Sequence, residues 1–119
     1  MSSESEKLYI DRETTSMLIE VLEGEFFDLI KEYMAAASRQ IAELKGTSPE
    51  DKDGMISLVH IIKGSSGNVG ASYLSSICND LETGLRMNEI TDPDPYINKI
   101  DETFKGTCIL LEKLIQEVA

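Results

Sequence analysis

Tryptophan is absent from this sequence, histidine occurs once and cysteine twice, and the 11 basic residues are outnumbered by 22 acidic ones. Each shortage closes off a class of function. One histidine, His60, with no Glu-x-x-His pair, cannot build a histidine-rich zinc site or a carboxylate di-iron site. Cys78 and Cys108 lie far apart and form no metal-type pair. Both fall on apolar helix stripes, which points to buried free thiols in a reducing compartment. The formal net charge of −11 makes nucleic acid and anionic membrane surfaces poor partners. Apolar runs such as Ile109-Leu110-Leu111 are far too short to cross a bilayer, and no charged-then-apolar signal segment opens the chain. The expectation is a single cytoplasmic domain of 119 residues with a modest core, without membrane insertion and monomeric by default.

Several local motifs fail on their own terms. Asp51-Lys52-Asp53-Gly54 resembles the opening of a calcium loop but lacks the alternating acidic ligands. Gly64-Ser65-Ser66-Gly67-Asn68-Val69-Gly70 is glycine-rich, yet no strand precedes it and no Gly-Lys-Ser/Thr closes it, so it is not a nucleotide loop. Ser65 or Ser66 as a hydrolase nucleophile would need a base and an orienting acid around it. The only histidine sits five or six residues away on the same helix.

What is present is helical periodicity. Residues 1–10 begin Ser/Glu-rich with nothing to bury and read as a disordered tail, leaving 11–119 as the folded domain. Asp11 can cap a first, short helix whose apolar edge is Met17, Leu18, Val21 and Leu22. From Glu25 to about Lys45, Phe26, Ile30, Tyr33/Met34, Ala37, Ile41 and Leu44 recur at threes and fours. A third helix starts either at Ser48-Pro49 or nearer Asp53-Gly54, and Asn68-Val69-Gly70 ends it. A fourth, from about Ala71 to Met87, carries Ala71, Leu74, Ile77, Cys78, Leu81 and Leu85. Asp94 can cap a last helix with the stripe Ile97, Ile100, Phe104, Cys108, Leu111, Ile115 and Val118. No segment alternates with a period of two. The predicted fold is all-α, an antiparallel four-helix bundle with an additional short N-terminal helix.

On a helical wheel of about 100° per residue, Met55, Leu58, Val59 and Ile62 gather on one side of the third helix. His60 falls roughly opposite, flanked by Lys63, Gly64 and Gly67. Glycine costs about 1 kcal/mol in a helix interior relative to alanine, and two occur here in one turn. Such a helix is clearing space beside its exposed histidine for a partner. A neutral imidazole held at its protonated nitrogen presents the other nitrogen outward, where it can attack a phosphoryl group in line. Lys63, one turn along, is placed to offset the phosphate charge.

The run His60-Ile61-Ile62-Lys63-Gly64-Ser65-Ser66-Gly67-Asn68-Val69-Gly70-Ala71, followed by Leu74, Cys78, Leu81 and Glu82, resembles the signature of histidine-containing phosphotransfer domains. The resemblance implies a phosphorelay intermediate, with His60 receiving a phosphoryl group from a receiver-domain aspartate and passing it to another receiver. It implies that Lys63 stabilises the phosphate, that Gly64 leaves the histidine accessible, and that Glu82 bonds the imidazole. Receivers dock on such domains through an apolar patch around the histidine, for which Ile56, Val69 and Gly67 are the candidates. The implied partners are response-regulator receivers and a hybrid sensor kinase. Magnesium belongs to the receiver, so no cofactor or metal is expected in this chain. Two other readings fit the residues: the phosphoaccepting domain of a chemotaxis-type histidine kinase, and an interaction bundle that is never phosphorylated.

Overall fold

The computed structural model describes residues 9–118, and all regular structure within them is helical. Helix α1 spans Arg12–Leu22, α2 Glu25–Lys45, α3 Lys52–Asn68, α4 Ser72–Arg86 and α5 Asp94–Val118. Helix α3 packs against α2 and α4, and α5 against α4 and α2, closing a ring around one core, while α1 lies against α2. No helix among the described residues is long and apolar enough to cross a membrane.

Most positions of the stripes read from the sequence are buried; Leu58 and Cys108 are half-buried, and the Val118 side chain lies outside the described residues. Phe26, Ile30, Tyr33, Ala37, Ile41 and Leu44 all face inward from α2. Leu74, Ile77, Cys78, Leu81 and Leu85 do so from α4, and Ile97, Ile100, Phe104, Leu111 and Ile115 from α5. Burying a large aliphatic or aromatic side chain contributes roughly 1.5–3 kcal/mol, so these stripes dominate the energetics. Small polar residues share the core where their hydrogen bonds are met locally. Thr107 donates to the Thr103 carbonyl at 2.7 Å, and the Tyr33 and Ser66 hydroxyls bond at 2.7 Å between α2 and α3. Both cysteines are free thiols; burial pushes Cys78 up to about 12 and Cys108 up to about 11.

Four expectations shift. Met17 and Val21 are exposed, because α1 packs through Thr15 and the half-buried Leu18, Ile19 and Leu22 instead. Ile10 is fully buried and Tyr9 packs on the core, so the domain begins before residue 11; residues 1–8 of the expected tail lie outside the described residues. The start signal at Ser48-Pro49 is not used: Asp51 caps α3, accepting from the Gly54 N–H at 3.0 Å. At α5 the cap lies upstream of Asp94, whose own N–H is taken by the Asp92 carboxylate at 3.1 Å while the Pro93 carbonyl accepts from Tyr96 and Ile97.

The turn between α3 and α4 is the element that positions the site. Gly70 has φ 86, in the left-handed region, and a Cβ there would lie 3.0 Å from Thr15 Cγ2. The Ala71 N–H reaches back to the Ser66 carbonyl at 2.8 Å and the Gly70 N–H to Gly67 at 3.1 Å, the paired bonds of a Schellman motif. The Gly70 carbonyl in turn accepts from the Asp11 N–H at 2.7 Å, tying the start of α1 to this turn.

Candidate functional site

Because α3 and α4 run back to back from a tight turn, residues equally far from it lie at the same height. His60 is eleven residues before Ala71 and Glu82 eleven after it. At 1.5 Å rise per residue the two side chains must meet, and His60 Nδ1 lies 3.0 Å from Glu82 Oε2. A second link between the two helices lies nearer the turn, where the Ser75 hydroxyl donates to the Lys63 carbonyl at 3.0 Å.

Glu82 is the buried centre of the cluster. Its side chain is 6% exposed, against 62% for His60, 27% for Lys63 and 56% for Arg86. Lys63 Nζ pairs with Oε1 at 2.7 Å. Arg86 donates from Nε at 3.0 Å and Nη2 at 2.9 Å to Oε2, the oxygen that also faces His60. Burial alone would raise this carboxyl, but Lys63, Arg86 and His60 together hold it down to about 2. Glu82 is therefore an ionised, acceptor-only group at neutral pH, and the His60 nitrogen facing it must carry the hydrogen. A neutral ring then has its lone pair on Nε2.

The surroundings leave the imidazole open. A Cβ built on Gly64 would meet nothing within 4 Å, so no neighbour among the described residues requires glycine there. Gly67 is exposed and Ile56 half-buried. Val69, expected at a docking surface, is 2% exposed and belongs to the core. It continues the Met55-Val59-Ile62 stripe of α3 through the buried Ser66 to the C-cap, two turns on, and its place just past the glycines hid that register. The exposed apolar residue beside the histidine is Ile61, 49% accessible, whose wheel position outside the buried stripe was legible. Arg86 also escaped the sequence reading; its spacing of four from Glu82 was the available signal.

A profile of the Hpt domain family matches residues 19–119. The chain belongs to the Hpt domain family. It is a histidine phosphotransfer intermediate of a phosphorelay. Among solved structures, this Hpt domain is similar to histidine-containing phosphotransfer protein B from Pseudomonas aeruginosa PAO1, with a TM-score of 0.85 and 24% sequence identity. The alignment covers 92% of this chain and 96% of that one, a likeness of fold. No curated protein matches the chain significantly. Hpt domains are phosphotransfer carriers without an ATP site of their own, and in phosphorelays they interact with receiver domains and kinases.

Proposed function

We propose that His60 is the phosphoacceptor, taking a phosphoryl group from the aspartate of one receiver domain and giving it to the aspartate of another. The observation that carries this reading is a half-exposed imidazole tethered at Nδ1 by a buried carboxylate, with open space at Gly64. Nε2 attacks phosphorus with its lone pair while the bond from phosphorus to the receiver's carboxylate oxygen breaks, and the carboxylate leaves with the bonding pair. Little covalent work falls to this chain; positioning and charge stabilisation carry the step. Glu82 fixes the ring, Lys63 offsets the phosphoryl charge, and Gly64 admits the partner. Ile56 and Gly67, with Ile61, form the rim on which a receiver rests. The magnesium ion of the step is the receiver's. The ring of α2 to α5 is read as an antiparallel four-helix bundle, with α1 as the additional helix. The domain works as a monomer in the cytoplasm, with response-regulator receivers and a hybrid sensor kinase as partners.

The test is transfer from a radiolabelled, phosphorylated receiver to this chain beside His60→Gln. Acid-labile, base-stable label on the wild type and none on the variant is the expected result. Label accepted only from a kinase catalytic domain with ATP would move the assignment to the chemotaxis-type reading. Label from neither source, with receivers still bound, would leave an interaction bundle.

A further inference from the structure

Two cations hold the Glu82 carboxylate where one would neutralise it. They differ in what else they can reach. Lys63 rises from α3 one turn after His60 and carries a compact ammonium on a flexible four-carbon stem. Arg86 rises from α4 one turn after Glu82, and its planar fork closes on Oε2 through two N–H groups. Lys63 takes the other oxygen, Oε1, alone.

A phosphoryl group on Nε2 brings nearly two negative charges to a residue one helical turn from Lys63. The ammonium is then drawn away from Oε1. A carboxylate as buried as Glu82 is costly to leave unpaired. We propose that Arg86 is the standing counter-ion of Glu82, releasing Lys63 to turn from the carboxylate to the phosphoryl group while the His60 Nδ1–H stays bonded to Oε2. Arg86 is thus a positioning residue acting through Glu82, and it does not touch the phosphate. This rests on His60 as the phosphoacceptor.

The chemistry balances without further groups. With phosphoramidate as donor, the Nε2 lone pair forms the new N–P bond, the donor's P–N bond breaks and ammonia leaves. The ring keeps its Nδ1 hydrogen and gains a positive charge between the carboxylate and the phosphoryl group. That charge is engaged by the phosphoryl bonded to it, so it does not take over the work of Arg86.

The experiment phosphorylates wild type, Arg86→Gln, Glu82→Gln and the double variant with phosphoramidate, follows the label by phosphorus NMR, and measures urea unfolding of each phosphorylated and free form at 25 °C. In Arg86→Gln, phosphorylation should lower the folding equilibrium constant about tenfold more than in wild type. In the Glu82→Gln background, where no carboxylate needs a counter-ion, removing Arg86 should change the effect of phosphorylation by less than about twofold. Arg86→Lys, which keeps the charge, should recover most of the wild-type behaviour. Equal penalties in both backgrounds would mean that Arg86 acts on the phosphate directly and would overturn the proposal, as would no penalty in Arg86→Gln. A wild type that takes no label on His60 would sink the phosphoacceptor reading itself, an outcome distinct from normal labelling without dependence on Arg86.

Discussion

The same ion-pair pattern occurs twice among the described residues. On α4, Glu82 is followed four residues later by Arg86 and is reached across the helix interface by Lys63 at 2.7 Å. On α5, Asp101 is followed four residues later by Lys105, and Lys45 reaches it from the end of α2 at 2.7 Å. In both, a carboxylate is held by one cation from its own helix and one from a neighbour, and both carboxyls are pulled below their ordinary values. The Asp101 cluster ends there. It staples two helices beside a cleft lined by Ser38, Ile41 and Phe104, and brings no histidine to the carboxylate. The Glu82 cluster adds His60, and the side chain at its centre is 6% exposed where Asp101 is 18% exposed. Two cations around a carboxylate are thus a generic device of helix packing. A histidine bonded to the buried carboxylate makes one copy of the device a reactive site.

The largest effects should come from breaking one copy and not the other. Glu82→Ala removes the acceptor that fixes the His60 ring and should lower the rate of phosphate acceptance by about tenfold or more. Asp101→Ala should leave that rate within about twofold, since Asp101 touches nothing in the site. Transfer kinetics from a phosphorylated receiver, with circular dichroism as a check on folding, separate the two. Comparable losses in both variants would mean that the carboxylates act only on stability.

Acid titration sharpens the comparison at an intermediate scale. The folded-state value of Glu82, about 2, lies below its ordinary 4.5, so its contribution to stability is fully present above pH 4.5 and is lost as pH falls toward 2. The shift corresponds to at most about 3 kcal/mol, and to less once the solvent exposure of Arg86 and His60 is allowed for. Stability of Glu82→Gln measured by urea unfolding should therefore vary less than that of wild type between pH 4.5 and 2. Asp101→Asn should flatten the same window by a smaller amount, because Asp101 is the more exposed. An unchanged profile in Glu82→Gln would show that the ion pairs add nothing to folding.

The smallest effect is at Gly64. Alanine there meets no neighbour within 4 Å and improves helix propensity, so Gly64→Ala should stabilise the fold by about 0.5–1 kcal/mol. Receiver-dependent transfer should fall, while phosphorylation by the much smaller phosphoramidate should hardly change. Loss with both donors would place the glycine's role in the fold and not in admitting a partner.

The sequence by itself determined the helices, their inward faces and the exposed histidine with its lysine and glycine. Those are local properties: periodicity near 3.6 residues sets which side chains leave water, and the stripes of α2, α4 and α5 needed no knowledge of their neighbours. The capping residue Asp11 and the break at Gly70 were legible for the same reason. Helix starts were less so, since Ser48, Asp51 and Asp94 are all competent caps and packing selects among them. Val69 was misplaced because its register past a glycine cluster decides between core and rim. Only the tertiary structure decided the burial of Glu82 and the recruitment of Arg86. On its own helix Glu82 lies at the margin of the apolar stripe, and it becomes buried because α3 folds back through the Gly70 turn and brings His60 and Lys63 over it. A carboxylate's charge state depends on what surrounds it in three dimensions, and no wheel drawn on one helix contains that.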